Sequence, residues 1–168
     1  EDLGIDPVEI RLKNAVEEGS ESAIGETLHS VGLKETINKV AQATDLEKKR
    51  PAGRGVGIAS GHLFTANFLP DSAIVRVNDD GSIELFKGSV EMGQGTNIVL
   101  SQIVSEVMEI SVDEISIAMI DTEFTPQAWG TFSSRHTFCS GNAVKLAAED
   151  ARKQLFDVAA DKLKAKPD

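Results

Sequence analysis

A glutamine flanked by two glycines, Gly93-Gln94-Gly95, stands where a strand pattern ends and a helix pattern begins. The free N–H groups and positive dipole end of a helix N-terminus attract anionic or acceptor groups, and glycines let such a ligand approach the backbone. A glutamine amide can both donate and accept hydrogen bonds. The segment therefore predicts contact with a polar ligand rich in acceptor atoms. The alternative is a structural turn in which Thr96 caps the helix. The segment is not a phosphate-binding loop, because the GxxxxGK[ST] pattern is absent.

A second polar segment, "WGTFSSRHTFCSGNAV", runs from Trp129 to Val144 and leads into the last helix pattern. It offers a guanidinium at Arg135 and another set of helix-terminal donors, together with the hydroxyls of Thr131, Ser133, Ser134 and Thr137. We expect the two donor-bearing loops to converge on one ligand. The alternative is an exposed loop whose hydroxyls bond to their own backbone.

Other candidates for chemistry are weaker, and we assign neither a catalytic residue nor a protein-held metal. The histidines lack ligand spacing and occur at His29, His62 and His136. A Ser134/His136/Asp121 triad has no supporting spacing. Glu91 and Asp121 could act as general bases or could equally be solvated or capping carboxylates.

The composition restricts the class of partner. The chain has 168 residues with 27 acidic and 17 basic side chains, a net charge of -10. Such a chain repels phosphate backbones and anionic lipids, so we expect no nucleic acid and no membrane as partners. No apolar run approaches the roughly 20 residues that cross a bilayer, and no signal pattern opens the chain, which favours a cytoplasmic location.

The sequence patterns on either side of these loops predict an α+β fold, in which a small mixed or antiparallel sheet is flanked by helices. Alternating residues around Asp79-Asp80-Gly81 predict a hairpin over 72–87, because Asp-Gly suits a tight turn. Further strands are expected near 55–66 and 115–120. Helical spacing or capping signals predict four helices, which cover Pro7 to about Glu18, a segment from Leu33, a segment from about Thr96, and one beginning near Ser140 or Gly141.

The run "GSVEMGQGTNIVLSQIVSE" and the downstream segment "WGTFSSRHTFCSGNAVKLAAEDARKQL" closely resemble the molybdopterin-binding large subunit of the xanthine dehydrogenase/aldehyde oxidase family. This family includes 4-hydroxybenzoyl-CoA reductase. "LGIDPVEIRLKNAVEEGS" and "DDGSIELFKGSVEMGQG" are also similar to family segments, so the resemblance spans nearly the whole chain.

The resemblance implies a molybdopterin (molybdenum) cofactor in the full-length protein. It implies cofactor contacts at Gly93, Gln94, Gly95, Thr96, Ser133, Ser134 and Arg135, with the metal held by cofactor sulfurs. The implied reaction is hydroxylation of a carbon centre using water, with electrons leaving through iron–sulfur and flavin subunits or domains; 4-hydroxybenzoyl-CoA reductase is the reductive exception.

The chain departs from the family in lacking the late Gly-Val-Gly-Glu motif that carries the catalytic glutamate. We therefore expect a fragment, with a helical lead-in over 1–50 and a molybdopterin-binding α+β domain over 51–168. Its partner would be the remainder of the large subunit. On its own it is expected to be inactive and without cofactor. The alternatives are a scaffold module in which the Gly-Gln-Gly segment is only a turn, and an active enzyme using Glu91 or Asp121.

Overall fold

The structure, a computed structural model, describes residues 2–46, 48–65 and 67–166. The chain divides into two compact units, Glu1–His62 and Leu63–Asp168. The sequence placed the start of the cofactor-binding domain at 51, and where that domain begins stays a prediction. The described residues form the α+β fold that the sequence predicted, with four α-helices and a small mixed sheet.

The first unit contains helices α1 (Pro7–Asn14) and α2 (Leu33–Thr44), which pack against each other. The Asp6 carboxylate caps α1 by accepting hydrogen bonds from the Val8 and Glu9 amides at 2.7 and 3.0 Å. The helix ends at Asn14, short of the predicted Glu18, because Ala15 turns to an extended conformation.

The second unit is built on strands β1 (Ala73–Val77), β2 (Ile83–Lys87) and β3 (Ile115–Ile117). β1 and β2 form the predicted antiparallel hairpin, and β2 pairs in parallel with β3. Gly81, with φ of 86°, supplies the left-handed conformation that the hairpin turn requires.

The prediction of a strand near 55–66 was wrong. Within residues 55–65 the structure forms no strand, and the described part of the sheet has only the order β1-β2-β3. Glycine weakens a strand because it loses backbone entropy and offers no side chain to pack, and this stretch carries Gly55, Gly57 and Gly61.

Two helices cover the sheet: α3 (Thr96–Met108) and the long α4 (His136–Leu163). They pack against each other, and α4 also packs against β1. The buried core between sheet and helices consists of Ile83, Leu85, Leu100, Val104 and Val144. A short 3₁₀ turn, Val112–Glu114, connects α3 to β3.

Helix α4 begins at His136, several residues before the predicted Ser140 or Gly141. The Cys139 amide already donates to the Arg135 carbonyl at 2.7 Å, so residues 136–139 form its first turn. Ser140 does not cap the helix, because its hydroxyl donates to Asp71 instead. This early start places His136 directly at the end of the polar loop.

Candidate functional site

The glycines of the first loop are required by its backbone. Gly93 and Gly95 have φ of 96° and 84°, a left-handed region that other residues rarely adopt. Gly95 is also the residue that immediately precedes α3. The loop therefore leaves β2 and turns into α3 within a few residues.

The amides at the start of α3 are already bonded by the Glu91 carboxylate. This carboxylate accepts hydrogen bonds from Gly93 N at 2.8 Å, from Gly95 N at 3.0 Å and from Asn97 N at 3.1 Å. The amides of Asn97 and Gly95 lower the pKa of Glu91 most. The Gly93 amide and the charge of Lys87 lower this pKa further, and desolvation opposes these effects. Glu91 therefore fills the anion position of this helix end, and its low pKa makes it a poor general base.

The amide of Gln94 is folded back onto its own loop. Its Oε1 accepts from Met92 N at 2.6 Å, while Nε2 donates to the Val90 carbonyl at 3.0 Å and to the Thr96 hydroxyl. Thr96 is fully buried. Gln94 thus braces the turn that it belongs to, and its exposed side chain still borders open space on the outer side.

The second loop holds two consecutive serines in the left-handed region, with φ of 50° at Ser133 and 52° at Ser134. Each such non-glycine residue costs on the order of 1–2 kcal/mol, so the surrounding structure must hold the loop in place. The Ser133 hydroxyl donates to the Phe64 carbonyl, and the Arg135 amide donates to the Phe132 carbonyl at 3.2 Å. Ser134 is exposed at the loop surface.

A buried ion pair clamps this loop. The Arg135 and Asp71 side chains are both 0% exposed, and Arg135 Nη1 lies 2.9 Å from Asp71 Oδ1. Arg135 also donates to the carbonyls of Gly130, at 3.1 Å, and Leu69. Burial alone would raise the pKa of Asp71, but hydrogen bonds from Ser140, the Trp129 amide and Arg135 outweigh it and lower the pKa. The Arg135 guanidinium is therefore committed to holding the loop.

The two loops meet at a pocket of about 400 Å³. Its wall is formed by Gln94, Gly95, Thr96 and Val99 from the first loop and α3, and by residues 131–137 from the second loop and the start of α4. Small-molecule sites usually measure about 300–1,000 Å³, so this pocket has a suitable size. Of the predicted contact residues, all except Gly93 border it.

His136 is the residue of this pocket that the sequence analysis missed. It is 8% exposed, and neither ring nitrogen has a hydrogen-bond partner within residues 2–46, 48–65 and 67–166. A buried polar group without a partner costs about 1–3 kcal/mol. The spacing of the histidines suits neither a metal site nor a triad, and the available signal was the position of His136 two residues after Ser134, at the end of the polar loop.

A buried lysine lies close to His136. Lys87 is 2% exposed at the end of β2, and its Nζ donates to the Ser89 carbonyl at 2.6 Å. Burial lowers the pKa of Lys87, and Glu91 partly opposes this. Burial also lowers the pKa of His136, Lys87 and Arg135 lower it further, and the carboxylates of Asp71 and Glu91 act in the opposite direction. The lowered pKa of His136 favours the neutral imidazole at pH 7.

Within the described ranges, no group of three or more His, Cys, Asp or Glu side chains is arranged to hold a metal ion. Nor is any helix there both long and apolar enough to cross a bilayer. The lone cysteine, Cys139, is buried in α4.

Comparison with known proteins gives consistent matches. The sequence profile of the molybdopterin cofactor-binding domain matches residues 27–168. The chain is 37% identical over 161 residues to the xanthine dehydrogenase molybdenum-binding subunit of Escherichia coli O157:H7, covering 87% of this chain and 21% of that protein. It is 34% identical over 124 residues to the 6-hydroxypseudooxynicotine dehydrogenase complex subunit gamma of Paenarthrobacter nicotinovorans, covering 73% of this chain and 16% of that protein.

A solved structure is also similar. The aldehyde oxidoreductase of Desulfovibrio gigas superimposes with a TM-score of 0.72 and 26% identity, covering 89% of this chain and 18% of that chain. The chain thus spans about a fifth of the length of these three relatives. Two of them are named as subunits.

Proposed function

Because this chain belongs to the family of molybdopterin cofactor-binding domains, we propose that the pocket between its two loops holds part of a molybdopterin cofactor. The observation that carries the proposal is the convergence of Gln94 and the serine loop on one pocket. These segments are separated by almost 40 residues of sequence, and a turn that only connects β2 to α3 would not need the second loop.

The residues present fit such a group. A pterin ring carries both donors and acceptors, and the pocket is lined by the hydroxyl-bearing residues Ser134 and Thr137 and by His136. No side chain in the described part of the chain caps the N-terminus of α4, where the helix dipole favours an anionic group. We propose that Gln94 and Ser134 contact the cofactor by their side chains and Gly95 by its backbone.

The remaining predicted contacts act indirectly in this proposal. Thr96 and Ser133 use their hydroxyls inside the protein, and Arg135 is paired with Asp71. They would hold each loop in the conformation that lines the pocket. When bound, the cofactor would supply the metal centre at which a carbon is hydroxylated with oxygen from water.

We further propose that the chain alone is catalytically inactive, since it supplies only part of a site and lacks the Gly-Val-Gly-Glu motif. Purified alone it would carry no cofactor, and it would bind added molybdopterin only at high concentration. The remainder of a large subunit would supply the rest, with iron–sulfur and flavin subunits or domains as electron acceptors. A cytoplasmic location stays a prediction.

Trp129 provides an assay, because it is the only tryptophan and it lies in the second loop. Anaerobic titration with molybdopterin should quench its fluorescence, with calorimetry as an independent readout of the dissociation constant. Ser134→Ala should weaken binding roughly tenfold, as expected for one lost hydrogen bond to a charged or strongly accepting group. Gln102→Ala, which removes an exposed amide on α3 away from the pocket, is the matched control and should bind as the parent chain does.

A scaffold module is the second candidate, and one observation favours it. Every hydrogen bond that the structure gives to the Gln94 amide is made within its own loop. If the folded parent chain and Gln94→Ala both fail to bind molybdopterin, this turn is structural and the cofactor proposal is wrong.

A further inference from the structure

We propose that His136 is a cofactor-contacting residue, whose imidazole donates a hydrogen bond to an acceptor oxygen of the bound molybdopterin. This inference rests on the proposed function of the pocket. The inference extends that proposed function to a residue for which neither the sequence pattern nor the resemblance implied a role.

The position of His136 makes contact possible. It follows Ser134 and Arg135 at the first position of α4, and it is one of the residues that line the pocket, beside Thr137. The early start of α4 fixes its backbone in helical geometry, so the side chain has few rotamers. A ligand that fills the pocket between Gln94 and the serines therefore lies against this residue, and its ring, whose nitrogens are buried, must turn to reach the ligand.

The unpaired state of the ring is the second observation. Both nitrogens are buried without a partner in the portion of the chain that the structure describes, although buried polar atoms in proteins are nearly always bonded. The ring consequently gives up no hydrogen bond when it turns toward a ligand. If this side chain served only for packing, an apolar side chain of similar size would fill the same space without burying two unpaired polar atoms.

The charges around the ring favour an acceptor as its partner. Lys87 at the end of β2 and Arg135 at the start of α4 place positive charge near it, while Asp71 and Glu91 are the opposing carboxylates. Asp71 is paired with Arg135, and Glu91 is bonded to three amides of the first loop. Lys87 bonds one carbonyl. A phosphate oxygen or a pterin ring carbonyl could equally be the acceptor.

The test compares anaerobic molybdopterin binding by the parent chain, His136→Phe, His136→Gln and His62→Gln. The glutamine at 136 keeps a donor, and His62 is an exposed histidine outside the pocket. We expect His136→Phe to bind roughly tenfold more weakly, His136→Gln to recover most of that loss, and His62→Gln to match the parent. Circular dichroism establishes that each variant is folded.

Proton NMR of the parent chain gives a readout that a merely structural histidine would not move. The His136 ring resonance should shift on adding molybdopterin, while those of His29 and His62 stay in place. Inorganic phosphate alone and unsubstituted pterin alone are the two further probes, and the one that shifts His136 identifies the acceptor. This readout also decides the question if His136→Phe fails to fold.

The failures are distinguishable. If molybdopterin binds, but the His136 resonance is unmoved and His136→Phe binds as tightly as the parent, the role of His136 is wrong and the proposed function stands. If the folded parent chain binds no molybdopterin, the proposed function is wrong and the inference falls with it.

Discussion

The buried ion pair between Asp71 and Arg135 should be the most sensitive point of the second unit. Asp71→Ala removes the carboxylate that accepts from Arg135 Nη1 at 2.9 and 3.1 Å, from Trp129 N at 3.0 Å and from Ser140. The guanidinium is left without its anion at a site where both side chains are 0% exposed. Removing one partner of a buried pair typically costs about 3–5 kcal/mol.

That cost is a large part of the stability of any domain, which is on the order of 5–15 kcal/mol. For a domain of this size it corresponds to a fall in melting temperature of about 12 °C or more. Replacing both partners, Asp71→Ala with Arg135→Met, should cost less than Asp71→Ala alone, because no unpaired charge stays buried.

The assay is urea unfolding followed by the fluorescence of Trp129, whose backbone amide bonds to Asp71. Asp157→Ala, at an exposed position on α4, is the matched control and should change the free energy of unfolding by about 0.5 kcal/mol or less. If Asp71→Ala is as mild as this control, the ion pair does not clamp the serine loop, and our account of how the pocket is held is refuted.

Three further predictions concern other parts of the chain. Gly88→Ala should destabilise by roughly 1–3 kcal/mol or more in urea unfolding, because its Cβ would lie 2.2 Å from the Pro126 carbonyl oxygen, whereas Gly57→Ala, with open space around its Cβ, should be mild. Leu100→Ala should cost about 2–5 kcal/mol by the same assay, since Leu100 is fully buried in the core. Because the pKa of His136 is lowered in the folded state, the unfolded chain binds more protons, so stability should fall as pH drops below about 6.5, and His136→Gln should remove that part of the slope in denaturation measured from pH 8 to 5.

Local signals predicted the elements that depend on neighbouring residues. Gly81 after two aspartates predicted the hairpin, and Asp6-Pro7 predicted the start of α1, because turn and cap geometry is decided within a few residues. The positive φ of Gly93 and Gly95 likewise agrees with the sequence argument for a tight strand-to-helix turn.

Long-range partners decided what the sequence did not predict. The resemblance implied a pterin contact for Arg135, which stays a prediction, but nothing in the sequence indicated that its guanidinium pairs with Asp71, 64 positions away along the chain. Ser140 was predicted to lie near the start of the last helix, but its hydroxyl donates to the same Asp71 carboxylate, and α4 begins earlier, at His136. A strand near 55–66 needs a free sheet edge as well as alternating residues, and no such pairing forms in residues 55–65.

The most direct test of the central claim is amide NMR of the chain during anaerobic titration with molybdopterin. We expect the chemical-shift changes to concentrate at Gln94–Thr96 and at residues 131–137, the two walls of the pocket. Changes confined to the groove of about 690 Å³ between β1 and α4, or no change in a folded chain at saturating cofactor, would contradict the claim that these two loops form a molybdopterin site.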